Sequence, residues 1–138
     1  MSARSKARKR ALDIVFEADS KSIPVASVLA ETMRRRQFAG EPALNDHTIA
    51  LVEGLVAQQQ AVDAAIETAA EGWSLARMPA VDRAILRVGA YELLFEADVP
   101  AAVAISEAVA LAASLSTDES PAFVNGVLSA VARSGAQT

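Results

Sequence analysis

Five cations crowd the start of the chain, Arg4, Lys6, Arg8, Lys9 and Arg10, with no acid among the first ten residues. Such a cluster neutralises phosphates: each contact releases counterions, so binding to a polyanion is strong at low salt and weakens steeply as salt rises. Phe16 follows directly, and an aromatic ring beside cations can stack on an unpaired base. Five of the chain's 13 bases sit in this arm, leaving the other eight and all 17 acids to the rest of the sequence. The result is a basic arm on an acidic body, which suits a polyanion such as a nucleic acid; the alternative is an arm that only solubilises, with Phe16 in the core. A second basic run, Arg34-Arg35-Arg36, is accounted for by the negative end of a helix.

Catalytic chemistry finds no such footing, and no catalytic residue, cofactor or metal is expected. The six glycines are too scattered for a phosphate cradle, and there is no cysteine to act as nucleophile or thiolate ligand. His47 has no histidine partner and reads as a surface or capping residue. Asp63, Glu67 and Glu71 are spaced by four and read as a solvated helix edge. Glu92 stands apart because it falls on an apolar face, where an unpartnered carboxylate costs several kcal/mol. It is expected to be structural, accepting backbone N–H groups at a helix start near Ile105 or Pro121.

The elements that position these groups are helices. Alanine is abundant, aromatics make up 4% of residues, and apolar side chains recur at helical spacing. The spacing predicts helices from Ser2 to about Asp19, from Pro24 to the Arg34–Arg36 run, and from Asn45 or Asp46 to Gly72, with a bend near Gln58-Gln59-Gln60. Met78 to Leu94 is apolar nearly all round and belongs at the centre, leaving Arg83 and Arg87 as a strip that reaches water and a partner. Further helices cover about Ile105 to Leu115 and from Ser120-Pro121 through Val131.

The expected fold is all-α: a compact bundle of six to seven helices around a central apolar helix, with residues 1–72 and 73–138 as its two lobes. Residues 1–138 read as one domain, large enough to bury roughly two thirds of its unfolded surface. The first two turns, residues 1–10, are expected to overhang the domain or order only on a partner, since five cations cannot all face a core. An overhanging helix can also dock on a second copy, so a homodimer is among the assemblies it admits. Val99–Leu115 carries Glu107 and much alanine, so no membrane contact is expected and the location reads as cytoplasmic.

The stretch M-P-A-V-D-R-A-I-L-R-V-G-A-Y-E-L-L, then V-P-A-A-V-A-I-S-E-A-V-A-L-A, then D-E-S-P-A-F-V-N-G-V-L, resembles the C-terminal half of the NusB family of bacterial transcription antitermination factors. The likeness covers roughly residues 73–131, with a looser match in A-R-K-R-A-L-D-I-V-F. It implies a compact helical domain that binds the boxA-type single-stranded RNA of ribosomal RNA leader transcripts. It further implies pairing with NusE, a small-subunit ribosomal protein, and entry into the RNA polymerase elongation complex. The family's RNA-binding positions fall on Arg4, Lys6, Arg8, Lys9, Arg10, Phe16, Glu119 and Phe123, and a partner contact on Asp118. Asn125 and Gly126 are implied as structural, the first hydrogen-bonding locally and the second allowing close helix approach. Two alternatives stand beside it: a related RNA-recognition domain of ribosomal RNA cytosine methyltransferases, and a helical protein-interaction module without RNA binding.

Overall fold

The computed structural model describes residues 2–136, of which six stretches are α-helix and none is strand. The helices are α1 (Ala3–Lys21), α2 (Val25–Phe38), α3 (Asp46–Ala69), α4 (Ala80–Phe95), α5 (Ala101–Leu115) and α6 (Ser120–Ala136), with a short 3-10 turn at Leu75–Arg77. None of them is long and apolar enough to cross a membrane. The chain divides into two compact units, Met1–Ala57 and Gln58–Thr138. The division falls inside α3, where Gln58 leaves helical geometry at φ −114° and ψ 18°. The bend expected at the glutamine triplet is therefore present, while the lobe boundary lies there and not at residue 72.

In the first unit α1 packs on α2. Ser2 opens α1 by accepting the Ser5 N–H on its hydroxyl at 3.0 Å, and Ser22 closes it in the left-handed region. Ala7, Ala11, Leu12, Ile14, Val15 and Ala18 form its buried face. That face begins earlier than the sequence suggests, because the Thr48 hydroxyl of α3 donates to the Ala7 carbonyl at 3.1 Å in a buried position. The arm is thus ordered helix, with Ala7 and Arg8 only 2% and 3% exposed. Pro24 precedes α2, and the Asn45 side chain accepts the His47 N–H at 2.7 Å to start α3.

In the second unit α4, α5 and α6 pack against one another. Ala104, Ala108 and Ala112 put small side chains at every fourth position of α5, all buried. Gly89 of α4 takes the closest approach: a Cβ there would lie 2.7 Å from Leu128 Cδ1 and 3.5 Å from Ala108 Cβ. Gly126, expected to do this, faces open space with nothing within 4 Å, and Asn125 beside it is exposed. The difference is one of facing, since α6 turns Val124, Val127, Leu128 and Val131 inward and leaves positions 125 and 126 outside. Pro100 starts α5 at Ala101, a turn earlier than Ile105.

Candidate nucleic-acid interface

The first surface lies on α1. At 100° per residue Lys6, Arg10 and Asp13 fall nearly in line, with Lys9 and Phe16 on the adjacent line. Lys6 and Arg10 are exposed, Lys9 is partly so, and Phe16 is 36% exposed. A rise of 1.5 Å per residue sets Phe16 about 10 Å along the axis from Lys9. Lys9 Nζ holds Asp13 Oδ1 at 2.7 Å, but both side chains are open to water, and an exposed i,i+4 pair is worth well under ~1 kcal/mol. A phosphate can replace that carboxylate cheaply. Arg4 is exposed over the end of the apolar stripe, where α1 outruns its packing.

Arg8 does not share this surface. It lies on the packed side with Ala11, Leu12 and Val15, and its stem covers apolar surface there. Its expected place among phosphates is therefore corrected: Lys6 and Arg10 are exposed and Lys9 partly so, whereas Arg8 belongs to the core side of the helix.

The second surface is a cleft of about 210 Å³ in the other unit, with Trp73, Asp82, Glu119 and Phe123 among its walls. Trp73 is 55% exposed and meets Phe123 edge-on, with ring centroids 6.4 Å apart at 64°. Backbone turns at Glu71 and Gly72, with φ of 42° and 90°, bring Trp73 into position. The segment after it is held from both sides. Glu67 Oε2 accepts the Leu75 N–H at 3.1 Å, while Arg83 Nη1 donates to the carbonyls of Leu75 and Met78 at 2.9 and 3.2 Å.

Asp82 fixes the opposite wall. It is 3% exposed in the first turn of α4, and its two oxygens accept the hydroxyls of Ser116 at 2.6 Å and Ser120 at 2.9 Å. Ser120 in turn accepts the Thr117 N–H at 3.3 Å. The acidic loop is thereby bolted to α4, which sets Glu119 in the cleft wall and leaves Asp118 exposed.

Arg83 and Arg87 do not form the water-reaching strip that the helical wheel suggests. Arg83 caps carbonyls, as above, and Arg87 pairs with Asp63 through Nε and Nη2. Asp63 thus pairs with Arg87 and Glu67 accepts the Leu75 N–H, while Glu67 and Glu71 stay exposed along a solvated edge. Glu92 is 1% exposed. Sequence reasoning missed Trp73 and Asp82 as site residues; the only available signal for Asp82 is the pair Ser116 and Ser120, four apart around a helix boundary.

The pattern of the NusB family matches residues 5–133 of the chain. The transcription antitermination protein NusB of Beutenbergia cavernae is 53% identical over 141 residues, spanning 96% of this chain and 91% of that protein. The structure of T. maritima NusB superposes with a TM-score of 0.81 at 30% identity, covering 96% of this chain and 92% of the other. A chain from a crystal structure of the antitermination factors NusB and NusE in complex with dsRNA superposes at 0.80 with 25% identity, covering 95% and 96%.

Proposed function

This chain belongs to the NusB family of transcription antitermination proteins, and we propose that it binds boxA-type single-stranded RNA of ribosomal RNA leader transcripts together with NusE. The complex then joins the RNA polymerase elongation complex in the cytoplasm and lets transcription pass early stop signals. Members of this family are antitermination factors and not enzymes.

The observation that carries the RNA reading is the exposed cationic line of α1, Lys6, Lys9 and Arg10, ending in the half-open ring of Phe16. Phosphates neutralised by these cations set the strand's position, and Phe16 offers a stacking platform for one base. In the cleft, Phe123 and Trp73 offer ring edges and faces, and the carboxylate of Glu119 can accept a base amino group but repels phosphate. A surface that combines the two is suited to unpaired bases. Asp118, exposed beside it, is the side chain we assign to the NusE contact, in preference to Arg83 and Arg87, whose guanidinium groups are already engaged. Glu92, almost wholly buried, is assigned to the scaffold.

Binding of the full chain to a boxA-like RNA, with and without NusE, against a scrambled RNA of equal length tests this reading. Preference for the boxA-like RNA, strengthened by NusE and weakening linearly in log salt, is expected. Equal affinity for both RNAs in every condition would overturn it.

A further inference from the structure

We propose that the RNA track does not stop on α1 but runs on to the last turn of α2, where Arg34, Arg35 and Phe38 take the next nucleotides of the same strand. This rests on the reading of α1 as an RNA surface. Phe38 is 97% exposed, an entire aromatic ring left in water at the end of a helix. It shares an open groove of about 580 Å³ with Glu31, Arg34, Arg35 and Gln37. The helix dipole accounts for cations in this turn but gives an exposed phenylalanine nothing. Cations flanking a bare ring are the combination that single-stranded nucleic acid requires, phosphate neutralisation beside a stacking face.

Continuity with α1 comes from Arg35. Besides the groove, it lines a recess of about 150 Å³ with Arg10, so a cation of the α1 line and one of the α2 turn look into the same space. The arginines are available to a strand. Arg34 and Arg35 side chains are 68% and 59% exposed, and their carboxylate neighbours are Glu31 at 2.6 Å and Glu17 at 4.0 Å. Exposed pairs of this kind are weak enough for phosphate to displace. Arg36 is excluded from the track: its side chain is 15% exposed, and its Nε donates to the Pro42 carbonyl at 2.8 Å.

The test compares a short boxA-like RNA with the same RNA lengthened at either end by about four nucleotides, the low end of what one single-strand groove holds. Wild-type chain is expected to bind one of the longer RNAs about tenfold more tightly than the short one. Phe38→Ala should remove about tenfold of affinity for that longer RNA, as loss of one stacked base does. The double variant Arg34→Ala, Arg35→Ala should flatten its salt dependence by about 1.4, at about 0.7 per phosphate contact on a single strand. Neither should alter binding of the short RNA. Unchanged binding of the longer RNAs by both variants would overturn the proposal, as would variants that spare RNA but weaken NusE, since the groove would then face a protein. Failure of the wild-type chain to prefer the short boxA-like RNA over a scrambled RNA of equal length would count against the parent reading instead.

Discussion

Arg87 of α4 clasps Asp63 of α3 through two parallel hydrogen bonds, Nε to Oδ1 at 2.9 Å and Nη2 to Oδ2 at 3.2 Å. Both side chains are largely shielded, at 14% and 25% exposure, so the pair is less screened than a surface bridge. Arg87→Ala is expected to lower unfolding free energy by about 1–3 kcal/mol. Arg87→Lys should recover only part, because a point ammonium cannot reproduce the fork. Denaturant titration reads both, and a loss in RNA affinity without a loss in stability would place Arg87 in an interface.

The cations of α1 should separate into two kinds. Arg8→Ala is expected to cost stability on the order of 3 kcal/mol, the scale of disrupting a buried charge. Lys6→Ala and Arg10→Ala should shift stability by less than about 0.5 kcal/mol. Each should instead reduce the salt slope of RNA binding by about 0.7. Thermal melts paired with salt titrations check the contrast.

Gly89→Ala pits two effects against each other. Alanine gains about 1 kcal/mol of helix propensity, but its Cβ lands 2.7 Å from Cδ1 of Leu128, a side chain that is 0% exposed and must shift within the core to make room. Overpacking of this kind costs about 1–3 kcal/mol, so a net loss near 1 kcal/mol is expected. Leu128→Ala should cost less in the Gly89→Ala background than in the wild type, by more than about 0.5 kcal/mol in a double-mutant cycle.

Glu92→Gln keeps the shape of a buried side chain and removes its charge. A loss of about 2 kcal/mol in stability with no change in RNA salt slope is expected of a carboxylate that accepts hydrogen bonds within the fold. Lowered RNA affinity at unaltered melting temperature would show the opposite role.

Tyr91 gives the fold an alkaline weakness. Burial raises its phenol above the usual value, aided by the negative charge of Glu96 and by a hydrogen bond to that carboxylate. Its contribution is whole below about pH 10, where the phenol of the unfolded chain ionises, and is lost as pH climbs through the raised folded value. Tyr91→Phe should therefore lower the melting temperature at pH 7 to 9, where the hydrogen bond to Glu96 is intact, and flatten the further fall in stability above pH 10.

The helices themselves were legible in the chain. Periodicity and punctuation reveal all six, with Pro24 and Pro121 opening α2 and α6 and the glutamine triplet marking the break in α3, while α5 begins a turn before the Ile105 that its apolar spacing suggests. Partners distant in sequence were not legible. The side of α1 that Arg8 takes is given by the helical wheel, which sets it over the apolar stripe with Ala11, Leu12 and Val15; the Thr48 hydroxyl that holds the Ala7 carbonyl from 41 residues away is not encoded in any local pattern. The same holds for Asp82, whose donors lie 34 and 38 residues downstream. Glycine roles depend on what stands opposite, which is why Gly89 and not Gly126 meets a neighbouring helix. The cationic line and Phe16 were readable because exposure is the default for such an arm.

The cleft also supplies its own optical probe. Trp73 is the only tryptophan in the chain, it is about half open to water, and it lies edge-on to Phe123. Intrinsic emission of the unlabelled protein therefore reports on one wall of one site. A ligand that fills the cleft must shield that indole, whereas one confined to α1 need not touch it, so a single cuvette can distinguish the two modes of occupancy.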